Sequence, residues 1–307
     1  MGAGSSSVLR RSVAHDTGPS SVVTSVRPHR HVVPATLMTR TAVALVLGFF
    51  VLFFAVPIIW LLMAPSKTPS QLTSLGPLEF GSMQGLSANW STLVHFEHGV
   101  IFRWLWNSAT YSLSALAIAL CTSIPAGYAL AHGQFRGRRL LLKTTLIVML
   151  MPSTALVLPI FLELAAVHLV GTAYSVILPF SFFPFGVYLT YVYFSTSVPR
   201  EVLDAARIDG CTEVAVFTRV ALPLGRPVIA LVGFFGFVAS WNSFLLPFLM
   251  LSGSRVPIQV GLTDLLSGVP DTTLALATLL AVAPVLLVFV LSQRFLARGL
   301  GGPRQAD

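Results

Sequence analysis

The stretch Pro199–Pro227 reads PREVLDAARIDGCTEVAVFTRVALPLGRP. It carries Arg200, Glu201, Asp204, Arg207, Asp209, Glu213, Arg219 and Arg226, yet it sits between two long apolar segments. That charge density keeps it out of hydrocarbon. It still has the marks of ordered structure. Pro199 suits a first helical position, and Gly210 suits the residue just past a helix end. Between them Val202, Ala205, Ala206 and Asp209 recur at helical spacing, and Ala205-Ala206 leave a low, smooth patch on one face. After Gly210 the pattern predicts a second short helix, with Val214, Phe217 and either Val216 or Val220 as its apolar stripe. Leu222-Pro223-Leu224-Gly225-Arg226-Pro227 then stops it. A helix–Gly–helix element at a membrane surface, smooth on one side, has the shape of a docking knob for another protein.

Outward from this stretch the chain is greasy. Its 307 residues are 55% hydrophobic and only 10% charged, against about 25% charged in soluble domains. This is the composition of a polytopic membrane protein. Residues 1–40, rich in Ser, Arg, Pro and His, read as a disordered tail. His29-Arg30-His31 within it resembles a metal-binding run, but ligand geometry needs a fold and a solvated basic tail fits better. Residues 41–64 read as a first transmembrane helix. Its charge-free run Ala42–Met63 reaches roughly 33 Å at about 1.5 Å per residue, enough for one crossing, and it starts too late for a cleaved signal peptide. Residues 65–103, with Pro65, Pro69, Gly76, Pro77, Gly81 and Gly85, read as an outer segment dominated by turns, with Trp90, Trp104 and Trp106 at headgroup level.

Residues 104–296 hold five more spans. The second, about 105–131, is lined with small residues such as Ser112, Ala115, Ala119 and Ser123, which suit close helix packing in lipid. The third, about 140–166, should kink at Pro152 and Pro159; the fourth, about 173–194, is broken by Pro179 and Pro184. The fifth is about 228–251. After a polar outer loop at 252–271 comes the sixth, about 272–291, and residues 297–307 form a C-terminal tail. Of nineteen Lys and Arg, only Lys67, Arg103 and Arg255 fall on the side opposite the polar stretch. The positive-inside rule then puts that stretch, and both termini, in the cytoplasm. The short basic blocks between spans argue against nucleic acid as a partner and read as topology determinants, Arg136, Arg138 and Arg139 among them. Cys121 and Cys211 are placed too differently to form a disulfide or a metal site.

The polar stretch resembles a known pattern. Asp204-Ala205-Ala206, then Gly210, then Val220-Ala221-Leu222-Pro223 is similar to the coupling motif of importer-type ABC permeases. Ala-Ala-Arg-Ile-Asp-Gly resembles their carbohydrate branch, the partner permease of maltose-type systems. Asn107-Ser108, Phe135-Arg136-Gly137-Arg138-Arg139, Pro152 with Pro159, Trp241-Asn242-x-Phe244 with Pro247, and Arg298-Gly299-Leu300 extend the resemblance over roughly residues 40–300. One departure is Asp204 where the motif usually has Glu, which keeps the charge but shortens the reach by one methylene.

The resemblance implies an all-α integral membrane protein with six transmembrane helices, the type I ABC importer permease fold, and a cytoplasmic coupling helix. It implies a permease subunit in the cytoplasmic (inner) membrane that translocates a carbohydrate, an oligosaccharide or related polyol derivative, by alternating access. Its partners would be an ABC ATPase dimer, a second homologous permease, an extracytoplasmic solute-binding protein and membrane lipid. ATP and Mg would be used by the ATPase, with no cofactor bound by this chain. Ala205 and Ala206 would permit close approach and Gly210 would supply the turn. Glu201, Asp204 and Asp209 would offer carboxylates to the ATPase cleft, Asp209 also capping the second helix. Phe217, Leu222 and Pro223 would tie the knob to the bundle.

The residues themselves fit a transporter without its own engine. No G-x-x-x-x-G-K-[ST] phosphate loop occurs, Lys67 and Lys143 standing in other contexts. No buried carboxylate pair marks a proton-coupled carrier, which leaves a secondary carrier as the weaker rival and an ABC permease for another solute class as the nearer one. His95, His98, His132 and His168 fall at span edges, where they do not converge on an enzyme site. Glu163, the acid well inside a predicted span, either accepts hydroxyl hydrogen bonds along a sugar path or snorkels to the interface. Trp241-Asn242 either faces the solute, indole stacked on a sugar, or makes a helix–helix contact.

Overall fold

The computed structural model describes residues 37–300. The first 36 residues, with the His29-Arg30-His31 run, and residues 301–307 lie outside the described residues. Every described element is helical. The chain divides after Leu52 into two compact units. The first contains the start of α1 (Leu37–Met63), a helix apolar from Ala42 onward whose side chains are almost all exposed. Apolar side chains left open along a whole helix are at home in lipid. Among the described residues, four helices are long and apolar enough to cross a membrane, and six if each of two bent pairs is one span.

The second unit is built around α4 (Val100–His132), a helix of 33 residues and so about 50 Å long. Its buried face carries the expected small residues Ser112, Ala115, Ala119 and Ser123. They let α7 (Tyr174–Ser181) and α8 (Pro184–Ser197) pack against it. The approach is tightest at Gly127, where a Cβ would lie 2.4 Å from Thr190 Cβ. One hydrophobic core surrounds the first half of α4, with Ile101 and Trp104. A second surrounds its end, with Ile124 and Ala131 beside Phe194, Leu203 and Val216.

Three segments depart from the reading of the sequence. Residues 65–103 are mostly helical, with α2 (Pro69–Ser74) and α3 (Met83–His95) rather than a run of turns. Local capping explains α2: Thr68 and Gln71 form a reciprocal capping box. A tertiary contact holds α3, through buried Asn89. Its amide donates to the carbonyls of Pro65 and Lys67, both at 2.9 Å, and its oxygen accepts from Thr272 and Thr273 at 2.8 and 2.9 Å. The expected loop at 252–271 contains α14 (Ile258–Gly268), whose Ile258 and Leu265 are buried. Last, α15 (Asp271–Leu300) runs into the expected C-terminal tail.

The third span is not merely kinked. It is α5 (Arg138–Met149) and α6 (Ser153–Ala166), bent by 103°. Pro152 disfavours helical geometry at the residue before it, whereas Pro159 is absorbed inside α6. The fifth span is also divided. α12 (Arg226–Trp241) ends at Asn242, and α13 (Leu245–Met250) follows after a short break.

Candidate functional site

The polar stretch folds as two short helices joined at Gly210. α9 (Arg200–Ile208) begins after Pro199, which is its N-cap rather than its first helical residue. It ends in a Schellman motif. The N–H of Cys211 reaches the Ala206 carbonyl at 3.1 Å, that of Gly210 reaches Arg207 at 3.0 Å, and Gly210 has φ +85°. The second helical run comprises α10 (Glu213–Ala215), a π-helical turn Val216–Ala221 and α11 (Leu222–Leu224). Thr212 caps it, its hydroxyl accepting from the Ala215 N–H, so Asp209 does not take the capping role expected for it. In the π turn the Leu222 N–H reaches the Phe217 carbonyl. Pro223 next in line has no N–H to give, and an extra residue per turn is one way for the chain to absorb that. At Gly225 the run bends by 76° into α12 rather than stopping.

The expected stripe holds at Val216, Phe217 and Val220, which join the core, and fails at Val214. Leu203 is completely buried, whereas Val202 is exposed. On the second helix Val216 and Ala221 are completely buried, whereas Val214 is 72% exposed. The face Leu203, Ala206, Arg207 follows i, i+3, i+4 spacing, a signal present in the sequence but masked by the smaller residues around it. Phe217 packs on Tyr128 of α4 with ring centroids 5.0 Å apart, and Tyr128 in turn meets Phe194 of α8. Leu222 packs beside the same core, and Pro223 stays exposed.

The opposite face is open. Glu201, Asp204, Ala205, Asp209 and Gly210 are exposed, and Ala206 is half-buried. Ile208 is 86% exposed at the tip. Half-buried Arg207, at the edge between the two faces, donates to Asp204 within α9 and to both carboxylate oxygens of Glu213 across the turn. Those hydrogen bonds raise the Arg207 pKa, Glu213 contributing most, and hold Glu213 below the usual carboxylate range. Arg138, read as a topology determinant with Arg136 and Arg139, is engaged internally: it donates to the carbonyls of Leu130, Ala131 and Gly133 at the end of α4.

A second site lies where three helix breaks meet. The α5–α6 break contributes Met151, Ser153 and Thr154. The α7–α8 break contributes Phe182 and Phe183, and the α12–α13 break Asn242 and Phe244. Together they line a cavity of about 590 Å³. Non-helical backbone at membrane depth is tolerated where it lines a cavity or is covered by protein. Asn242 is therefore in the cavity, and its neighbour is not. The Trp241 indole is 3% exposed, stacks on Phe237 at 5.4 Å, and donates to the Ala281 carbonyl at 2.9 Å. Glu163 is exposed on α6 and does not line the cavity.

Residues 123–302 match the family described as binding-protein-dependent transport system inner membrane component. The chain belongs to that family. The match covers the polar stretch Pro199–Pro227 and the breaks that form the cavity. Inner membrane components of this kind are permease subunits, not catalytic ones, and work with a solute-binding protein and an ABC ATPase. This permease is 31% identical over 270 residues to the arabinooligosaccharides transport system permease protein of Bacillus subtilis, covering 87% of this chain and 96% of that one. It is 29% identical to the sulfoquinovosyl glycerol transport system permease protein of Agrobacterium fabrum, covering 80% and 86%. Its fold is that of a bacterial ABC transporter involved in the import of the acidic polysaccharide alginate, with a TM-score of 0.74 at 22% identity over 84% of this chain and 96% of that chain.

Proposed function

We propose that this permease carries a carbohydrate, an oligosaccharide or related polyol derivative, across the cytoplasmic membrane, driven by a separate ATPase. The observation that carries the reading is the knob. It is anchored by Leu203, Val216 and Phe217 on one side and presents Ala205, Gly210 and the apolar tip Ile208 on the other. An exposed apolar tip ringed by charged groups suits a partner's cleft. ATP, with Mg, is consumed in a dimer of ATPase subunits, and this chain binds no cofactor. Closure of that dimer moves the knob, and Phe217 and the Gly225 bend pass the motion to α4 and α12. Rigid-body tilting of the helices then alternates access to the solute.

The carbohydrate reading is supported by the relatives that transport arabinooligosaccharides and sulfoquinovosyl glycerol. A second homologous permease completes the pathway. The extracytoplasmic binding protein supplies most of the solute selectivity. The basic residues on the knob side support a cytoplasmic knob and cytoplasmic termini. A photo-crosslinker placed at Ile208 in intact membranes tests this. It should join the chain to an ATPase subunit, and gentle solubilisation should retain that subunit. A chain recovered alone, with no ATPase adduct at Ile208, overturns the reading.

A further inference from the structure

We propose that the cavity at the three helix breaks admits uncharged glycans and rejects acidic ones. The inference rests on reading that cavity as part of the solute path. Among the described residues, no Asp, Glu, Lys, Arg or His lines it. Its polar groups are the side chains of Ser153, Thr154, Asn242 and Ser243, and none of the four makes a side-chain hydrogen bond with other described residues. They supply hydroxyl and amide donors and acceptors but no charge. Phe182, 69% exposed, and Phe244, 40% exposed, offer the apolar surface beside them.

A neutral sugar matches this lining on both counts. Its C–H faces cover aromatic rings, and its hydroxyls pair with the amide and the hydroxyl groups. The volume of about 590 Å³ falls within the roughly 300–1,000 Å³ typical of small-molecule sites. A uronate carboxylate entering the same space sheds its water and meets no cation from this chain's lining. The desolvation of an unpaired ion in such a site should weaken binding by about 100-fold or more. Membership of the family does not decide this point, because the alginate importer shares the fold and takes an acidic polysaccharide. Beyond the selection made by the binding protein, the charge preference within the membrane is set by the cavity lining.

The test uses the assembled importer, with Cys121→Ser and Cys211→Ala substitutions and a single reporter, Ser243→Cys, labelled by an uncharged maleimide. Protection from labelling is measured with arabinotriose and with a mannuronate trisaccharide over the same concentration series. The expected result is protection by arabinotriose, with the mannuronate requiring at least about 100-fold more. In a Thr154→Cys reporter, adding Ser243→Arg should bring in protection by the mannuronate. Equal protection by both probes overturns the proposed charge selectivity and leaves the solute path standing. Protection by neither, at either reporter, removes the cavity from the solute path, whereas the Ile208 crosslink tests the ATPase partnership independently. If Ser243→Cys fails to assemble, Thr154→Cys alone gives the same comparison.

Discussion

Arg207 clasps Glu213 across the turn at Gly210, Nε to Oε1 at 2.7 Å and Nη2 to Oε2 at 3.1 Å. The two residues belong to different helices, so this bidentate pair sets the angle between the two arms of the knob. The same guanidinium also holds Asp204. An exposed pair contributes only about 0–1 kcal/mol to stability, but the planar fork fixes geometry in a way a lysine would not. We therefore predict that Arg207→Lys shifts the melting temperature of the complex by less than about 2 °C, while ATP hydrolysed per solute transported rises several-fold. Measuring both quantities on one reconstituted preparation checks it, and an unchanged ratio would show that the clasp is dispensable. The pH dependence has a definite sign. Glu213 is depressed below its ordinary value of 4.5 by Arg207, so its contribution is present above that value and lost as pH falls through the depressed one. Coupling should not vary with the Glu213 titration near neutrality.

Gly210 has φ +85° and open space where a Cβ would stand. Strain rather than collision governs substitution there. Gly210→Ala should cost about 1 kcal/mol and Gly210→Asn less, because Asn tolerates the left-handed region. Gly210→Val should cost more than either. Hydrogen exchange at the amides of Gly210 and Cys211, which close the Schellman motif, would rank the three. Equal exchange in all of them contradicts the assignment of strain.

Gly261 presents the opposite case. A Cβ there would lie 2.2 Å from Trp104 Cδ2, on a ring that is 1% exposed. Neither the buried ring nor α14 can give way cheaply. Gly261→Ala should destabilise the protein by at least about 1–3 kcal/mol, and Trp104→Leu in the same chain should recover part of it. A double-substitution cycle read by thermal unfolding in detergent measures the coupling.

Asn89 makes four hydrogen bonds to groups in two segments, and the carbonyls and hydroxyls it serves are beside it in the core. Replacement by Leu keeps the volume and strands those partners. The expected loss is about 2–4 kcal/mol. Limited proteolysis between residues 65 and 82 should then become faster, because the segment loses its tether to α15.

Trp241 and Asn242 should separate cleanly. Trp241→Phe removes the donor to Ala281 and should cost about 1–2 kcal/mol of stability without altering which solutes are carried. Asn242→Ala should leave the melting temperature within about 1 °C and reduce uptake several-fold. A result in which Trp241→Phe changes solute preference at unchanged stability would reverse these roles.

Much of this was legible in residue order alone. Apolar runs fix where a chain can lie in a bilayer, because burying backbone and charge in lipid is costly wherever it happens. So α1, α4, the α7–α8 span and α15 were located by composition, and the charged stretch Pro199–Pro227 was excluded from hydrocarbon. Gly210 announced its own turn, because only the absence of a Cβ makes φ +85° inexpensive. Contacts between distant segments were not legible. That Leu203 rather than Val202 anchors the knob depends on which face meets Phe194 and Val216. The two hydroxyls that donate to Asn89 stand more than 180 residues further on, at Thr272 and Thr273. The break at Asn242 met those at Pro152 and Phe182 only once the helices had packed, and that meeting made a cavity. Local preferences set by one residue and its neighbours are written in order along the chain. Which side chains become neighbours across the fold depends on packing shape, and packing shape belongs to no single stretch.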